Sequence, residues 1–321
     1  MTNATKTVLI TGANSGIGLE AAAQFAEANY GTVILACRSL AKAESAQSAL
    51  VDHVGKDVFD IIAIDVAERE SAQIAAETLS AQDRQIDVLV LNAGMSSGDD
   101  PAYNSDGIEM TFASSLLGHH VLTMSLLNNK KLSADAHIII AGSEGARGDM
   151  PMMTVPDFND FADTHFDGDL EAMHHAIWKI QPPYQYQTMN TYVTGKVYVA
   201  WWAAALASKL PAGMTVNAVS PGSVPNTNFL RHQGWLMRNL MAPMMKLIPK
   251  SMGMAASVED AARRYLDASS FTADLSGQFF ASAPGKMVGT LERQSMPHFL
   301  DEKNQQASWN MLTQLSQISL N

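Results

Sequence analysis

The chain's regular structure opens on a short run of β-branched and apolar residues, Thr7-Val8-Leu9-Ile10. A glycine-containing turn follows, and then an alanine-rich segment of helical character, Leu19 to Ala26. The alternation repeats: apolar runs stand at residues 32–36, 58–64, 86–91, 136–141 and 214–219, with a further one at 277–281. Helix-length segments separate most of them. Near-continuous apolar strands alternating with helices predict a parallel sheet covered on both faces. The expected fold class is therefore α/β: a doubly wound parallel sheet of about seven strands, with residues 1–321 forming one domain. Ligands of such sheets bind where the strands end at their carboxyl side.

The residues at those ends carry chemistry. After the first run comes Thr11-Gly12-Ala13-Asn14-Ser15-Gly16-Ile17-Gly18, and a helix follows directly. Strand, glycine turn and helix in that order predict a dinucleotide loop, in which the backbone approaches a pyrophosphate at the helix N-terminus. The second strand ends at Cys37-Arg38-Ser39. An acid there would hold the ribose hydroxyls of NAD, whereas an arginine accommodates the 2′-phosphate of NADP. Arg38 is present and the acid is missing, so NADP(H) is expected over NAD(H). The next three strands end at Asp65-Val66, Asn92-Ala93-Gly94 and Gly142-Ser143.

Further along, Tyr192 and Lys196 are spaced to share one helix face. An ammonium beside a phenol favours the phenolate and would lower the phenol's pKa toward neutrality, where it can exchange a proton with an alcohol or carbonyl oxygen. Tyr184, Tyr186 and Tyr198 lack a lysine four residues on.

Charge and composition narrow the partners. The chain of 321 residues has a formal charge of −11 and no Lys/Arg-rich block, which argues against nucleic acid or an anionic membrane surface. The lone Cys37 excludes an internal disulfide and fits a reducing compartment. Met1 to Lys6 is too short and polar for a signal peptide, and no apolar run has bilayer length. A cytoplasmic protein without stable membrane insertion is expected, with no resident metal.

Taken together, Thr11-Gly12-x-x-x-Gly16-x-Gly18, Asp65-Val66, Asn92-Ala93-Gly94, Ser143, Tyr192-x-x-x-Lys196 and Pro221-Gly222 resemble the short-chain dehydrogenase/reductase family, in the family's order. The resemblance implies a Rossmann-type oxidoreductase that moves hydride between NAD(P)H and a carbonyl or alcohol. It implies Tyr192 as general acid/base and Lys196 as its tuner and ribose ligand, with Ser143 as the hydroxyl that holds the substrate oxygen. Gly12, Asn14, Ser15, Gly16, Ile17 and Gly18 would cradle the pyrophosphate. Asp65 and Val66 would lie by the adenine, and Asn92, Ala93, Gly94, Pro221 and Gly222 would line the cleft. Thr227 would meet the cofactor.

Three departures stand out. Where the family carries a catalytic asparagine, which helps hold a helix irregularity and a relay water, alignment on Phe112 and Gly118-His119 places Ser115. His119 and His120 are expected to pack and not to substitute for it. Second, 48 residues (144–191) separate Ser143 from Tyr192, far more than the family norm. The insertion holds Phe158, Phe161, Phe166 and Trp178 and is expected to pack. Its stretch from Gly148 to Trp178 has seven carboxylates and no lysine or arginine, read either as a solvated face or as a rim that disfavours anions. His165, His174 and His175 match no metal-ligand spacing. Such an insertion can also cover the helices through which relatives dimerise, so a monomer or small homo-oligomer is expected. Third, Phe229 to Met254 is rich in methionine. Within 222–256 it is expected to form a lid over a bulky, apolar carbonyl or alcohol substrate.

Similar insertions occur in carbonyl reductases and in protochlorophyllide- and retinol-type reductases. Cys37 is the only cysteine and lies on the cofactor side, so the cysteine that light-dependent reductases place near their pigment is absent. A catalytically weak NAD(P)-binding regulator is the reading outside the enzyme class. Retention of Ser143, Tyr192 and Lys196 together speaks against it.

Overall fold

The fold is that of a computed structural model that describes residues 3–151, 153–224 and 255–320. Thr227 and the methionine-rich stretch, expected to meet the cofactor and cover the substrate, lie outside the described residues.

Eight strands form one sheet: β1 (Thr7–Thr11), β2 (Thr32–Cys37), β3 (Phe59–Ala63), β4 (Ile86–Leu91), β5 (Leu132–Ala141), β6 (Thr215–Val219), β7 (Phe279–Ala281) and β8 (Glu292–Arg293). Their order across the sheet is β3-β2-β1-β4-β5-β6-β7-β8. Pairing is parallel except between β7 and β8. The order reverses between β1 and β4, which opens a crevice at their carboxyl ends.

Alternate strand residues serve two cores, as a pleated strand requires. Val8, Ile10, Val33, Leu35, Val88 and Val90 pack with α1 (Gly16–Glu27) and α2 (Leu40–Val54). Leu9, Ile34, Leu89 and Leu91 pack on the other face with α3 (Arg69–Ser80), α4 (Gly118–Asn128) and a later helix, Thr188–Ala207. β1 is buried along its whole length.

The insertion folds as α5 (Phe158–His165) and α6 (Leu170–Trp178). It leads into α7 (Thr188–Ala207), which carries Tyr192 and Lys196. Phe158, His174 and Trp178 from the insertion pack against Tyr198 of α7, and Phe158 and His174 also meet Trp201. Ring centroids lie 4.8–6.2 Å apart in this cluster, the range of favourable edge contacts. A helix α8 (Val258–Ala268) packs on α1, and α9 (Glu302–Ser316) closes over α6 and α7.

The seven acids between Gly148 and Trp178 do not line the cavity, although Glu144 at the start of the insertion does. Asp157 and Asp169 cap α5 and α6 by accepting the amides of Asp160 and Ala172, and Asp149 pairs with Arg147 at 3.0 Å. No carboxylate between Asp149 and Glu171 lines the cavity, and Asp157, Asp160, Asp163, Asp167 and Asp169 are exposed, which favours the solvated face over an anion-excluding rim. His174 meets the Tyr198 hydroxyl at 2.6 Å, and His175 meets Gln314.

Candidate active site

A cavity of about 600 Å³ runs along the carboxyl ends of the strands. The glycine loop forms one wall. Gly12 has φ +69, and a Cβ there would come within 3.1 Å of Ala93 Cα; one on Gly18 would sit 2.5 Å from the Gly12 carbonyl oxygen. The helix and strands therefore approach closely only because side chains are missing. Asn14, Ser15, Gly16 and Ile17 complete this wall, and Ser15 stands at the N-cap of α1. Thr11 joins the loop to the next strand end: Asn92 Nδ2 donates to the Thr11 carbonyl at 3.0 Å, and Ala93 N donates to Thr11 Oγ1 at 2.9 Å.

At one end of the cavity Arg38 is exposed, with its Nη1 3.7 Å from Asp65 Oδ2. Ser39 caps α2 through the Lys42 amide, and Lys42 also lines the cavity. Sequence reasoning missed Lys42, although its place four residues after Arg38 at a helix start puts a second cation by the same dipole end. Val66 and Gly94 line the same cleft.

At the other end α7 brings Tyr192 to Ser143, and the two hydroxyls hydrogen-bond. Ser143 sits where β5 ends and also accepts the Gly145 amide at 3.2 Å. Lys196 Nζ lies 5.9 Å from the centre of the Tyr192 ring and donates to the Ala141 carbonyl at 2.8 Å. The expectation that Lys196 would lower the phenol's pKa is not met. The Tyr192 hydroxyl faces the cavity but is withdrawn from bulk water, and burial pushes it up to about 12. The Ser143 hydrogen bond opposes that shift, and the Glu144 charge adds to it. Burial also takes Lys196 down to about 8.

Ser115 lies within a π-helical turn, Ala113–Leu117, that runs into α4. The helix irregularity is thus kept without the asparagine. The Ser115 hydroxyl borders the cavity opposite Gly94, where a Cβ would lie 3.5 Å from it. Its carbonyl is held from behind by His119 Nδ1 at 3.1 Å, while His119 Nε2 meets Thr11 Oγ1 at 3.0 Å. A carbonyl only accepts, so Nδ1 carries the proton and Nε2 accepts from the threonine. His119 therefore braces the turn from outside the cavity. Gly118 admits the Val66 carbonyl, which a Cβ would meet at 2.2 Å.

Pro221 and Gly222 line the wall after β6, with Gly222 at φ +85. Two polar residues absent from the sequence reading also act here. Ser114 Oγ accepts the Met95 amide at 3.1 Å, and the Tyr265 hydroxyl reaches Asn92 Oδ1 at 3.4 Å. Neither pairing has a signal in sequence spacing. Met95, Met110, Met153, Met189 and Met287 also line the cavity.

The fold and the cleft define an α/β protein of Rossmann type with a glycine-walled cavity at the strand ends. A family model described as short chain dehydrogenase matches residues 6–155. Human retinol dehydrogenase 13 is 30% identical over 281 residues, covering 86% of this chain and 76% of that protein. The chain belongs to the short-chain dehydrogenase/reductase family. It is also 30% identical over 253 residues to the WW domain-containing oxidoreductase of Danio rerio, matching 78% of this chain and 57% of that one. The chain thus spans little more than half the length of that relative. The chloroplastic protochlorophyllide reductase of Chlamydomonas reinhardtii is 26% identical, over 98% of this chain and 78% of its own length. Among solved structures, an uncharacterized protein from Mycobacterium Paratuberculosis superposes with a TM-score of 0.69 at 21% identity, over 98% of this chain and 95% of that one. A Shigella flexneri short chain dehydrogenase complexed with NADP gives a TM-score of 0.59 at 17% identity, over 85% of this chain and 95% of that one. Among the described residues no helix is long and apolar enough to cross a membrane.

Proposed function

We propose that the protein is an NADP(H)-dependent oxidoreductase that interconverts a carbonyl and an alcohol on a bulky, apolar substrate. The observation that carries this reading is the convergence of Ser143, Tyr192 and Lys196 in one cavity with the glycine loop. Gly12, Gly16 and Gly18 leave a cradle for a pyrophosphate, and Arg38, Ser39 and Lys42 fit a 2′-phosphate beyond it. When bound, the nicotinamide supplies the hydride. The chain supplies the rest. The Ser143 and Tyr192 hydroxyls donate to the substrate oxygen as negative charge develops on it, and Tyr192 gives up its proton. A phenol held well above neutrality starts carbonyl reduction already protonated. Lys196 and the Ser115 turn then stand behind Tyr192 for its reprotonation.

Five methionines on the substrate side favour a large apolar partner whose shape they can follow. Retinal and alicyclic or aromatic ketones are the first probes. Cys37 is buried in β2, so no thiol faces the substrate side. The reading of a reducing, cytoplasmic setting rests on that free thiol, and the reading of a monomer on the insertion and α9 that cover α7. Turnover of no ketone, aldehyde or alcohol with either cofactor would refute the enzyme.

Two substitutions test the ends of the cavity. Charge-assisted bonds to a phosphate contribute about 1.5–3 kcal/mol each. Arg38→Asp combined with Lys42→Ala is therefore expected to lower the NADPH-over-NADH preference in kcat/KM by about 100-fold. An unchanged ratio would refute the assignment. Ser115→Asn restores a second donor in the relay and is expected to raise kcat about threefold, with unchanged melting temperature. A fall in kcat would mean that this relay is built around the serine.

A further inference from the structure

Strands β5, β6 and β7 end beneath the catalytic half of the cavity, and one buried ion pair ties together the segments just beyond all three ends. Glu144 is the residue directly after Ser143, and its residue surface is 1% exposed. Its carboxylate accepts from Arg264 Nη1 at 3.0 Å, from Ser282 N at 3.2 Å, from Ser282 Oγ at 3.0 Å and from Ser220 Oγ. Arg264, on α8, donates in turn to the Ser220 carbonyl at 2.8 Å, to Ser282 Oγ at 2.8 Å and to the Gly289 carbonyl at 2.7 Å. Ser220 Oγ also accepts the Gly222 amide at 3.2 Å. A second pair strengthens the arrangement: Arg147 binds both oxygens of Asp149 at 3.0 Å and reaches the Ser282 and Lys286 carbonyls. The segment 282–289, which presents Met287 to the cavity, is thus pinned by two arginines.

We propose that Glu144 and Arg264 are positioning residues for the proton transfer at Tyr192: together they fix Ser143 and the Pro221-Gly222 turn, and the arginine offsets part of the field of a carboxylate held close to the phenol. The inference rests on the reading of Tyr192 as the general acid. A buried pair of this kind adds little net stability against an apolar substitute, yet breaking it leaves an uncompensated charge. Here that charge would act on the reacting proton, since the Glu144 carboxylate already disfavours the phenolate. The other groups facing this phenol are Lys196 from α7 and Tyr265 from α8. Around the ion pair stand Arg147 and Asp149 after β5, Lys286 in the pinned segment, and His298, which meets the Ala146 carbonyl.

The test is the pH dependence of kcat/KM for alcohol oxidation at saturating NADP⁺, in which activity rises as Tyr192 ionises. Glu144→Gln keeps the bonds to Ser220 and Ser282 but removes the negative charge, so the rising limb moves to lower pH by roughly half a unit or more. Arg264→Gln leaves Glu144 unpaired and moves the limb to higher pH by a similar amount. The double variant returns it close to its original position, and Arg264→Lys, which keeps the charge, leaves it in place. In the cofactor-free protein, Arg264→Gln also speeds amide hydrogen exchange in 282–289. Limbs that stay put, or that move in the same direction in both single variants, would overturn the proposal. Should Arg264→Gln fail to fold, Glu144→Gln against Arg264→Lys decides between the same outcomes. A limb that persists in Tyr192→Phe would instead refute Tyr192 as the acid, separately from the role of the pair.

Discussion

Tyr192→Phe is expected to lower kcat about 1,000-fold while leaving NADPH affinity within about twofold. The substitution removes one oxygen and keeps the ring. The lost atom is the one that meets Ser143, and the hydroxyls of the tyrosines nearest in sequence or in the cavity are engaged elsewhere. Tyr184 bonds Thr191, Tyr186 donates to the Gly98 carbonyl, Tyr198 meets His174, and Tyr265 reaches Asn92. The glycine loop and the Arg38–Lys42 end do not depend on the phenol, so cofactor affinity should survive. Residual activity near wild type, measured as NADPH consumption with a ketone and compared with binding by titration, would mean that another group gives the proton.

Acid should unfold the protein steeply below about pH 6.5, because three histidines are held neutral in its core. His119, His120 and His174 are each 0% exposed. Burial lowers His119 and His120 to about 4 and His174 to about 3. In the unfolded chain all three would take up protons near pH 6.5. Between that value and the folded pKa values the unfolded state binds more protons, so stability falls as pH falls. With all three contributing, the slope near pH 5 is on the order of 4 kcal/mol per pH unit, and stability is restored above pH 6.5. The geometry enforces the neutral forms. His119 donates through Nδ1 to the Ser115 carbonyl and accepts from Thr11, while His120 Nδ1 accepts from Trp202 Nε1 at 3.1 Å. Urea unfolding at pH 7.5, 6 and 5 measures the slope; equal stability across that range would refute it.

The strands were legible wherever burial on both faces leaves an unbroken apolar run. β4 has the bounds its sequence predicts, residues 86–91. β5 begins four residues earlier than its apolar run, because Ser133-Ala134-Asp135 interrupts it. The interruption coincides with a register shift in its pairing with β4, between Ile86 and Val88. β8 has only Glu292 and Arg293, exposed at the sheet edge, and no hydrophobic signal announces it.

That Ser143, Tyr192 and Lys196, proposed here to be catalytic, share one cavity was legible because the order of motifs along the chain locates strand ends. The electrostatics were not. Spacing puts Lys196 near Tyr192, but it says nothing of how deeply each is buried. The Glu144–Arg264 pair spans 120 positions, and only the topology brings β5 and α8 together. The acids of the insertion read as a solvated face, and Asp157, Asp160, Asp163, Asp167 and Asp169 are exposed; what spacing did not show is that Asp157 and Asp169 cap helices and that Asp149 holds Arg147.

Hydride transfer to a carbonyl with Tyr192 as the acid is tested most directly by following deuterium from NADPH, labelled at both transferable positions, into the product of a bulky alicyclic ketone. One deuterium is expected on the carbinol carbon, formed about 1,000-fold more slowly in Tyr192→Phe. An alcohol without deuterium at that carbon, or an equal rate in the variant, would contradict it.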